Sequence, residues 1–233
     1  MLSIIVPVFN EEEFIEGCIN SLERAIKGKN AELIFIDGGS TDKTTQICRE
    51  LGKQVYDSPL KGRASQMNFG AEKSSGDVLY FLHADSEPPI SLVEDIQKSI
   101  DQGYIAGCYR LAFNPEHSLL KLYAWFTRFD VDLFRFGDQS LFVKKEVFES
   151  IKGFDEDLKV MEDQKIISDV KKYGKFKIMD DCVVTSSRKY LKVGVVKLQL
   201  IFTIIVISYY LGVSQKVMSH FYSKQLYAHV TKL

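Results

Sequence analysis

The sequence predicts an α/β domain: a mostly parallel central sheet with helices on both faces, followed by a helical tail at the C-terminus. Three observations carry this reading. Short β-branched runs alternate with helical apolar stripes through the first part of the chain. Turn and cap signals rich in Gly, Ser, Thr, Asn and Asp separate them. After Val193 the residues become apolar and helical with no intervening linker.

Taken in order, residues 3–8 (SIIVPV) and 32–37 (ELIFID) read as strands. Between them, residues 11–27 place Phe14, Ile15, Cys18, Ile19, Leu22 and Ile26 on one helical stripe, with Asn10 suited to cap it. Gly38-Gly39-Ser40-Thr41-Asp42 is a turn opening a helix that runs to about Leu51, capped by Ser40 or Thr41. A short strand at 54–56 and a helix at 64–73 precede a strand at 78–82, which Pro88-Pro89 stop from extending further. Beyond residue 90 the expected elements are a helix at 91–102, a strand at 105–113 and an aromatic-rich helix at 118–134. A strand at 141–144, a helix at 162–173 and a strand at 175–184 follow. The division expected is residues 1–190 as one domain and residues 191–233 as an apolar and amphipathic helical tail.

A chain of 233 residues, 45% hydrophobic and 26% charged, has ample material for one core. Its net charge of −1 gives no general attraction to nucleic acid. Cys18, Cys48, Cys108 and Cys182 are widely spaced, without a CxxC pair, as expected of reduced thiols in a cytoplasmic protein. Met1-Leu2 runs directly into a strand pattern, so no signal peptide is expected.

Polar residues cluster where the strands end. In "FLHADSEPP" (81–89), His83 and Asp85 follow a buried apolar run, a position where open α/β sheets bind ligands. A lone aspartate there also serves as a turn residue. Asp37 stands at the end of the second strand, and "VPVFNEEE" (6–13) places acids after the first. Simple capping and helix-dipole roles account for each of these alone. "KGRASQMNFGA" (61–71) sets Lys61 and Arg63 around a glycine at a helix start, an arrangement that suits a phosphate and equally a solvated basic turn. It lacks the GxxxxGK[ST] pattern of a P-loop, and no GxGxxG follows the first strand as a dehydrogenase needs. "VMEDQKII" (160–167) puts Glu162 and Asp163 at a helix start, where the dipole favours an ionised carboxylate able to act as a base. Trp125, Phe126, Phe129, Phe134 and Phe136 read as packing residues rather than as a sugar-stacking platform.

As an ordered set, VPVFNEE, DGGSTD, KGRASQMNFGA, LHAD, GDQSLFVKKEVFESIKGF and MEDQ resemble family 2 glycosyltransferases of the GT-A fold, over roughly residues 1–190. The doubled glycine, the HAD and the GDQ–MED pairing resemble a bacterial subgroup of that family. The resemblance implies an inverting transfer of sugar from a UDP- or GDP-type donor to a hydroxyl acceptor, lipid-linked or part of an envelope glycan, using Mg²⁺ or Mn²⁺. By position it implies that Pro7, Phe9, Glu11, Asp37 and Gly38 form the nucleoside pocket. Arg63 approaches the diphosphate, Asp85 is the metal-binding acid and Asp163 the base, with Glu162 beside it. Asp138 and Gln139 face sugar or acceptor, and His83 replaces the first aspartate of the usual DxD motif, leaving its ribose or metal contact open. A sugar nucleotidyltransferase, which needs a glycine-rich triphosphate loop near the N-terminus, and a non-catalytic sugar-nucleotide-binding scaffold are the rival readings.

The tail carries LIFTIIVISYYLGV (200–213), shorter than the ~20 apolar residues of a transmembrane helix. Arg188, Lys189, Lys192 and Lys197 precede it, and Tyr209-Tyr210 lie near its end. Such a segment suits the surface of an anionic membrane, on its inner face, or a contact with the domain or a second copy.

Overall fold

The computed structural model describes residues 1–135 and 137–227; the expectation for Phe136 and the last part of the tail lie outside the described residues. Leu2–Val8 forms β1, and its side chains alternate between the two faces of the sheet: Ile4, Val6 and Val8 to one, Ile5 to the other. Helix α1 (Ile15–Ile26) returns the chain so that β2 (Ala31–Asp37) lies parallel to β1. Helix α2 (Thr44–Glu50), β3 (Val55–Asp57), α3 (Arg63–Lys73) and β4 (Val78–Phe81) complete this parallel half. Next come β5 (Ser86–Glu87), α4 (Leu92–Asp101), β6 (Tyr104–Asn114), α5 (Ser118–Phe126), β7 (Leu141–Lys144), α6 (Lys145–Ser150), α7 (Glu162–Val170) and β8 (Lys175–Ser186).

The described strands form one eight-stranded sheet in the order β3-β2-β1-β4-β7-β6-β8-β5. The β1/β2, β1/β4, β2/β3 and β6/β8 pairs are parallel, and β7 enters antiparallel between β4 and β6. One face is closed by α1, α2 and α4 through Ile15, Leu22, Cys48, Leu92 and Ile96. The other is closed by α3, α6 and α7 through Met67, Ala71, Phe148, Ile166 and Val170. Cys18, Cys48 and Cys108 are buried free thiols, and Cys182 is half-buried.

Local differences from the sequence reading have identifiable causes. Asn10 does not cap α1; its backbone is left-handed (φ 54°) and its Oδ1 accepts the Thr41 N–H at 2.8 Å, tying the two strand exits together. Helix α2 starts beyond Ser40 and Thr41 because Asp42 Oδ1 accepts the Thr44 N–H at 3.0 Å. The aromatic helix ends at Phe126, not Phe134. Arg135 is fully buried, and its guanidinium takes the carbonyls of Thr127 and Phe129, which a continued helix would have committed to its own turns. Just before Pro88-Pro89, Ser86 and Glu87 pair with Thr185 and Val184 of β8 as the short strand β5.

The tail consists of α8 (Arg188–Val193), α9 (Val195–Tyr210) and α10 (Gln215–Tyr227). A boundary at residue 190 therefore falls inside α8. Leu198, Ile201 and Ile205 of α9 pack with Val160 and Met161, the residues just before α7.

Helix α3 crosses β1 and β2 at Gly70, where an added Cβ would stand 2.4 Å from Ile5 Cγ2 and 3.1 Å from Ile36 Cγ1. Gly70→Ala is expected to destabilise the fold by about 1–3 kcal/mol through overpacking, as read by chemical denaturation. An unchanged midpoint would mean that α3 can lift off the sheet without loss.

Candidate active site

The site grows from the carboxyl ends of β1, β2 and β4. Gln66 on α3 donates through Nε2 to the Val8 carbonyl at 2.9 Å and the Ile36 carbonyl at 2.8 Å, joining the last turns of β1 and β2. A Cβ at Gly38 would press on that amide at 3.0 Å, so the glycine allows the close approach. Asp37 is buried, and its carboxylate accepts the Gly39 N–H at 2.9 Å, the Ser40 N–H and the Ser40 hydroxyl at 2.5 Å. Phe9, just past β1, is a large aromatic left 55% exposed.

Beside these exits a cavity of about 260 Å³ is lined by Arg63, Asp85, Asp138, Glu162, Asp163 and Lys189 at its polar end. The structure thus brings together five of the predicted site residues: Arg63, Asp85, Asp138, Glu162 and Asp163. Pro7, Phe9, Glu11, Asp37, Gly38, His83 and Gln139 are not among its lining residues.

Asp163 and Glu162 open α7, where the helix dipole favours negative charge. Met161 before them is held in the left-handed region at φ 74°, a conformation costing a non-glycine residue of order 1 kcal/mol and sustained by packing against α9. Asp163 lies directly over Gly137: a Cβ there would stand 2.1 Å from Asp163 Oδ2. Arg63 Nη1 is 3.6 Å from Glu162 Oε1 and 3.7 Å from Asp163 Oδ2. Burial first, and the neighbouring Asp163 charge second, push Glu162 up to about 7, with Arg63 opposing both.

Asp138 Oδ1 is 3.0 Å from His83 Nδ1. Burial works to raise Asp138, but the His83 hydrogen bond and charge outweigh it and hold the carboxyl well below the usual range. Gln139 lies apart from the cavity. It is wholly buried, its Oε1 accepts Arg135 Nη1 at 2.7 Å, and it holds Arg135 in place instead of facing the cavity.

Arg188 belongs to the basic group that precedes the apolar stretch of the tail. The structure turns it inward: Nη2 donates to Glu11 Oε1 at 2.7 Å and Oε2 at 2.5 Å, and lies 3.4 Å from Asp85 Oδ2. Its guanidinium sits 4.2 Å from the centroid of the Phe14 ring. Burial raises Glu11 above the usual carboxylate range despite this partner. The pairing spans Glu11 and Arg188, so only its β8-to-α8 setting just past the sheet edge hinted at it; Gln66 and Gly137 carried no signal beyond their motifs.

Among the described residues no three His, Cys, Asp or Glu side chains converge on a point that could hold a metal ion. Of the cavity's carboxylates, Asp138 is paired with His83 and Glu162 and Asp163 lie beside Arg63, which leaves Asp85 as the candidate to hold a cation. That set fits a cation completed by phosphate oxygens and water, the usual habit of Mg²⁺, and not a cage built by protein.

Residues 3–153 match the family model for glycosyl transferase family 2, and the chain belongs to this family. The match stops before Glu162 and Asp163. The chain is 29% identical over 107 residues to a dolichol-phosphate mannosyltransferase of Pyrococcus furiosus, covering 44% of this chain and 30% of that one. It thus spans under a third of that relative's length. Its fold matches TarS of S. aureus solved with UDP-GlcNAc, at TM-score 0.64 and 15% identity, over 98% of this chain and 71% of TarS. It also matches the mannosyltransferase PcManGT of Pyrobaculum calidifontis, solved with GDP-Man and Mn²⁺, at TM-score 0.64 and 18% identity, over 78% of this chain and 56% of that one. The expected GT-A architecture is therefore the observed one.

The raised Glu162 makes stability depend on pH. Folded protein keeps a proton up to about 7 that the unfolded chain releases near 4.5, so the contribution is full below 4.5 and is lost as pH rises through 7. Glu162→Gln is expected to gain melting temperature relative to wild type as pH is raised from about 5 to about 8. A difference that stays constant across that range would contradict the burial of this carboxyl.

Proposed function

We propose that the protein is an inverting glycosyltransferase that moves a sugar from a nucleoside diphosphate to a hydroxyl acceptor. The observation that carries this reading is the position of Asp163: at a helix start, over Gly137, beside Arg63, in the cavity that also contains Asp85. Membership of the family supplies the reaction class. The named ligands of TarS and PcManGT support UDP- or GDP-type donors, and the Mn²⁺ in the latter supports a divalent cation.

The donor's nucleoside lies along the exits of β1 and β2, with Pro7, Phe9, Glu11, Asp37 and Gly38, and Phe9 gives the base an exposed ring to stack on. Arg63 meets the diphosphate, and Asp85 holds Mg²⁺ or Mn²⁺ there. When bound, such an ion neutralises charge on the phosphate oxygens. Asp138, fixed by His83, faces the sugar or acceptor. Asp163 takes the proton of the acceptor hydroxyl as that oxygen bonds to the anomeric carbon. The bond from that carbon to the diphosphate oxygen breaks on the opposite side, and Arg63 receives the developing negative charge. Glu162 stays partly protonated near neutral pH, which leaves the Arg63 charge to Asp163 and the donor.

Asp163→Asn is expected to keep donor binding and lower transfer by roughly two to four orders of magnitude. Near-normal turnover removes Asp163 from the mechanism; donor binding without any transfer by wild type favours the scaffold reading. Asp85→Ala is expected to abolish the Mn²⁺-dependent part of donor binding, measured by calorimetry with and without the ion. Equal ion dependence in both proteins would move the metal elsewhere.

A membrane surface as the place of action has its own support. Val196, Leu200, Ile204, Ile207 and Leu211 recur at intervals of three or four along α9 and its end, and all are exposed. Among the described residues no helix is long and apolar enough to cross a membrane. The helix therefore lies on the surface, beside the lipid-linked acceptors that the name of the Pyrococcus relative suggests. The double variant Leu200→Gln, Ile204→Gln is expected to lose most binding to anionic vesicles in co-sedimentation, with the full chain otherwise intact. Undiminished binding would assign the stripe to a protein contact.

A further inference from the structure

Two strand exits meet at Arg188, a residue with no task in the reaction proposed above. Its Nη2 donates to both oxygens of Glu11 and lies 3.4 Å from Asp85 Oδ2. The backbone mounts it firmly: the Ser186 N–H donates to the Asp85 carbonyl at 3.0 Å, tying the end of β8 to the Asp85 segment two residues before the arginine. The two acids do not hold the guanidinium equally. Glu11 takes it at 2.5 and 2.7 Å, and Phe14, whose N–H donates to the Glu11 carbonyl at 2.9 Å, places its ring 4.2 Å from the same group. Asp85 has the one long contact. Asp85 lines the cavity, whereas Glu11 and Arg188 are not among its lining residues. The guanidinium is thus anchored to the turn between β1 and α1 and reaches Asp85 from outside the cavity.

From this geometry we propose that Arg188 is a positioning residue for the divalent ion. Its fixed positive charge makes Asp85 a poor ligand for a bare cation and a good one for a cation that carries the donor's diphosphate. The inference rests on the reading of Asp85 as the ion's ligand. A guanidinium and a divalent ion on one carboxylate draw on the same oxygens and repel each other across a short distance. Diphosphate oxygens place negative charge between the two cations, and the arginine then attracts the complex whose ion it repels. The long contact is the one given up: Asp85 turns to the ion, while Glu11 and the Phe14 ring keep the guanidinium where it is. Ion and donor therefore enter as one unit.

Mn²⁺ alone and Mn²⁺ with UDP read the two halves of this claim on the full chain. Loss of the free-ion EPR signal follows binding of Mn²⁺ alone, and calorimetry follows binding of the Mn²⁺–UDP complex. Arg188→Gln is expected to bind Mn²⁺ alone at least about tenfold more tightly than wild type, since a partly solvated charge beside the ion is gone. The same variant should bind Mn²⁺–UDP no more tightly than wild type. An arginine with only a structural role would weaken both when removed. Arg188→Lys keeps the charge and should stay within about threefold of wild type for both ligands. The double variant Glu11→Gln, Arg188→Gln removes the pair without leaving a carboxylate unpartnered, and should keep most of the gain for Mn²⁺ alone. Unchanged or weaker Mn²⁺ binding in both glutamine variants overturns the proposal. So does a gain in Arg188→Lys equal to that in Arg188→Gln, or a gain for Mn²⁺–UDP equal to that for Mn²⁺ alone. Asp85→Asn added to Arg188→Gln should abolish the gain; a gain that survives it rejects Asp85 as the ligand and the proposal with it. Loss of Mn²⁺ binding in Asp85→Asn with no gain in Arg188→Gln keeps the ligand and rejects the role of the arginine.

Discussion

Opposed charge at the carboxyl edge of the sheet is the constraint on which the rest of this structure depends. Glu11, Asp85, Asp138, Glu162 and Asp163 are drawn into a small region by strand ends and a helix start, and carboxylates that close repel one another unless cations intervene. Arg188 answers Glu11 and Asp85, Arg63 answers Glu162 and Asp163, and Asp138 is held by its hydrogen bond with His83. Burial, and then the neighbouring Asp163 charge, push Glu162 up to about 7 in spite of Arg63. On the proposed reading, a donor diphosphate meets the Arg63 guanidinium and a divalent ion meets the Asp85 carboxylate.

The scaffold converts this balance into geometry. Parallel β1, β2 and β4 end at the same edge, and Gln66 binds the last carbonyls of β1 and β2 so that their exits keep a fixed spacing. Gly137 gives up its side chain so that the Asp163 carboxylate can lie against backbone. Buried Arg135, held by Gln139, Thr127 and Phe129, shapes the irregular segment that delivers Gly137 and Asp138. On the far side α9 closes the cavity and supports Met161, so the tail is a wall of the site and not an appendage to it.

Much of this was legible in the residues, for a definite reason. Alternating β-branched runs and helical stripes encode the parallel half almost directly, since β1 and β4 at its centre are buried on both faces. Asp37, Asp85 and Asp163 were visible because each follows or opens an element recognisable from a few neighbouring residues. What escaped was long-range. Arg188 looks like a surface cation until β8 brings it to Glu11, across 177 positions of chain. The early end of α5 follows from Arg135's need for carbonyl partners, which no local propensity records. The two-sidedness of α9 was hidden too, because its apolar residues surround the helix and only packing distinguishes the inner face from the outer.

In the proposed reaction an acceptor oxygen, deprotonated by Asp163, attacks the anomeric carbon opposite a diphosphate held by Arg63, where Asp85 would bind a divalent cation. Its stereochemistry is open to direct reading. With water as the acceptor, proton NMR during early turnover of UDP-α-D-glucose or GDP-α-D-mannose with Mn²⁺ distinguishes the first-formed anomer before mutarotation mixes the two. The account predicts the β anomer of the released sugar. An α anomer formed first would require the incoming oxygen to arrive on the diphosphate side, and would contradict the account.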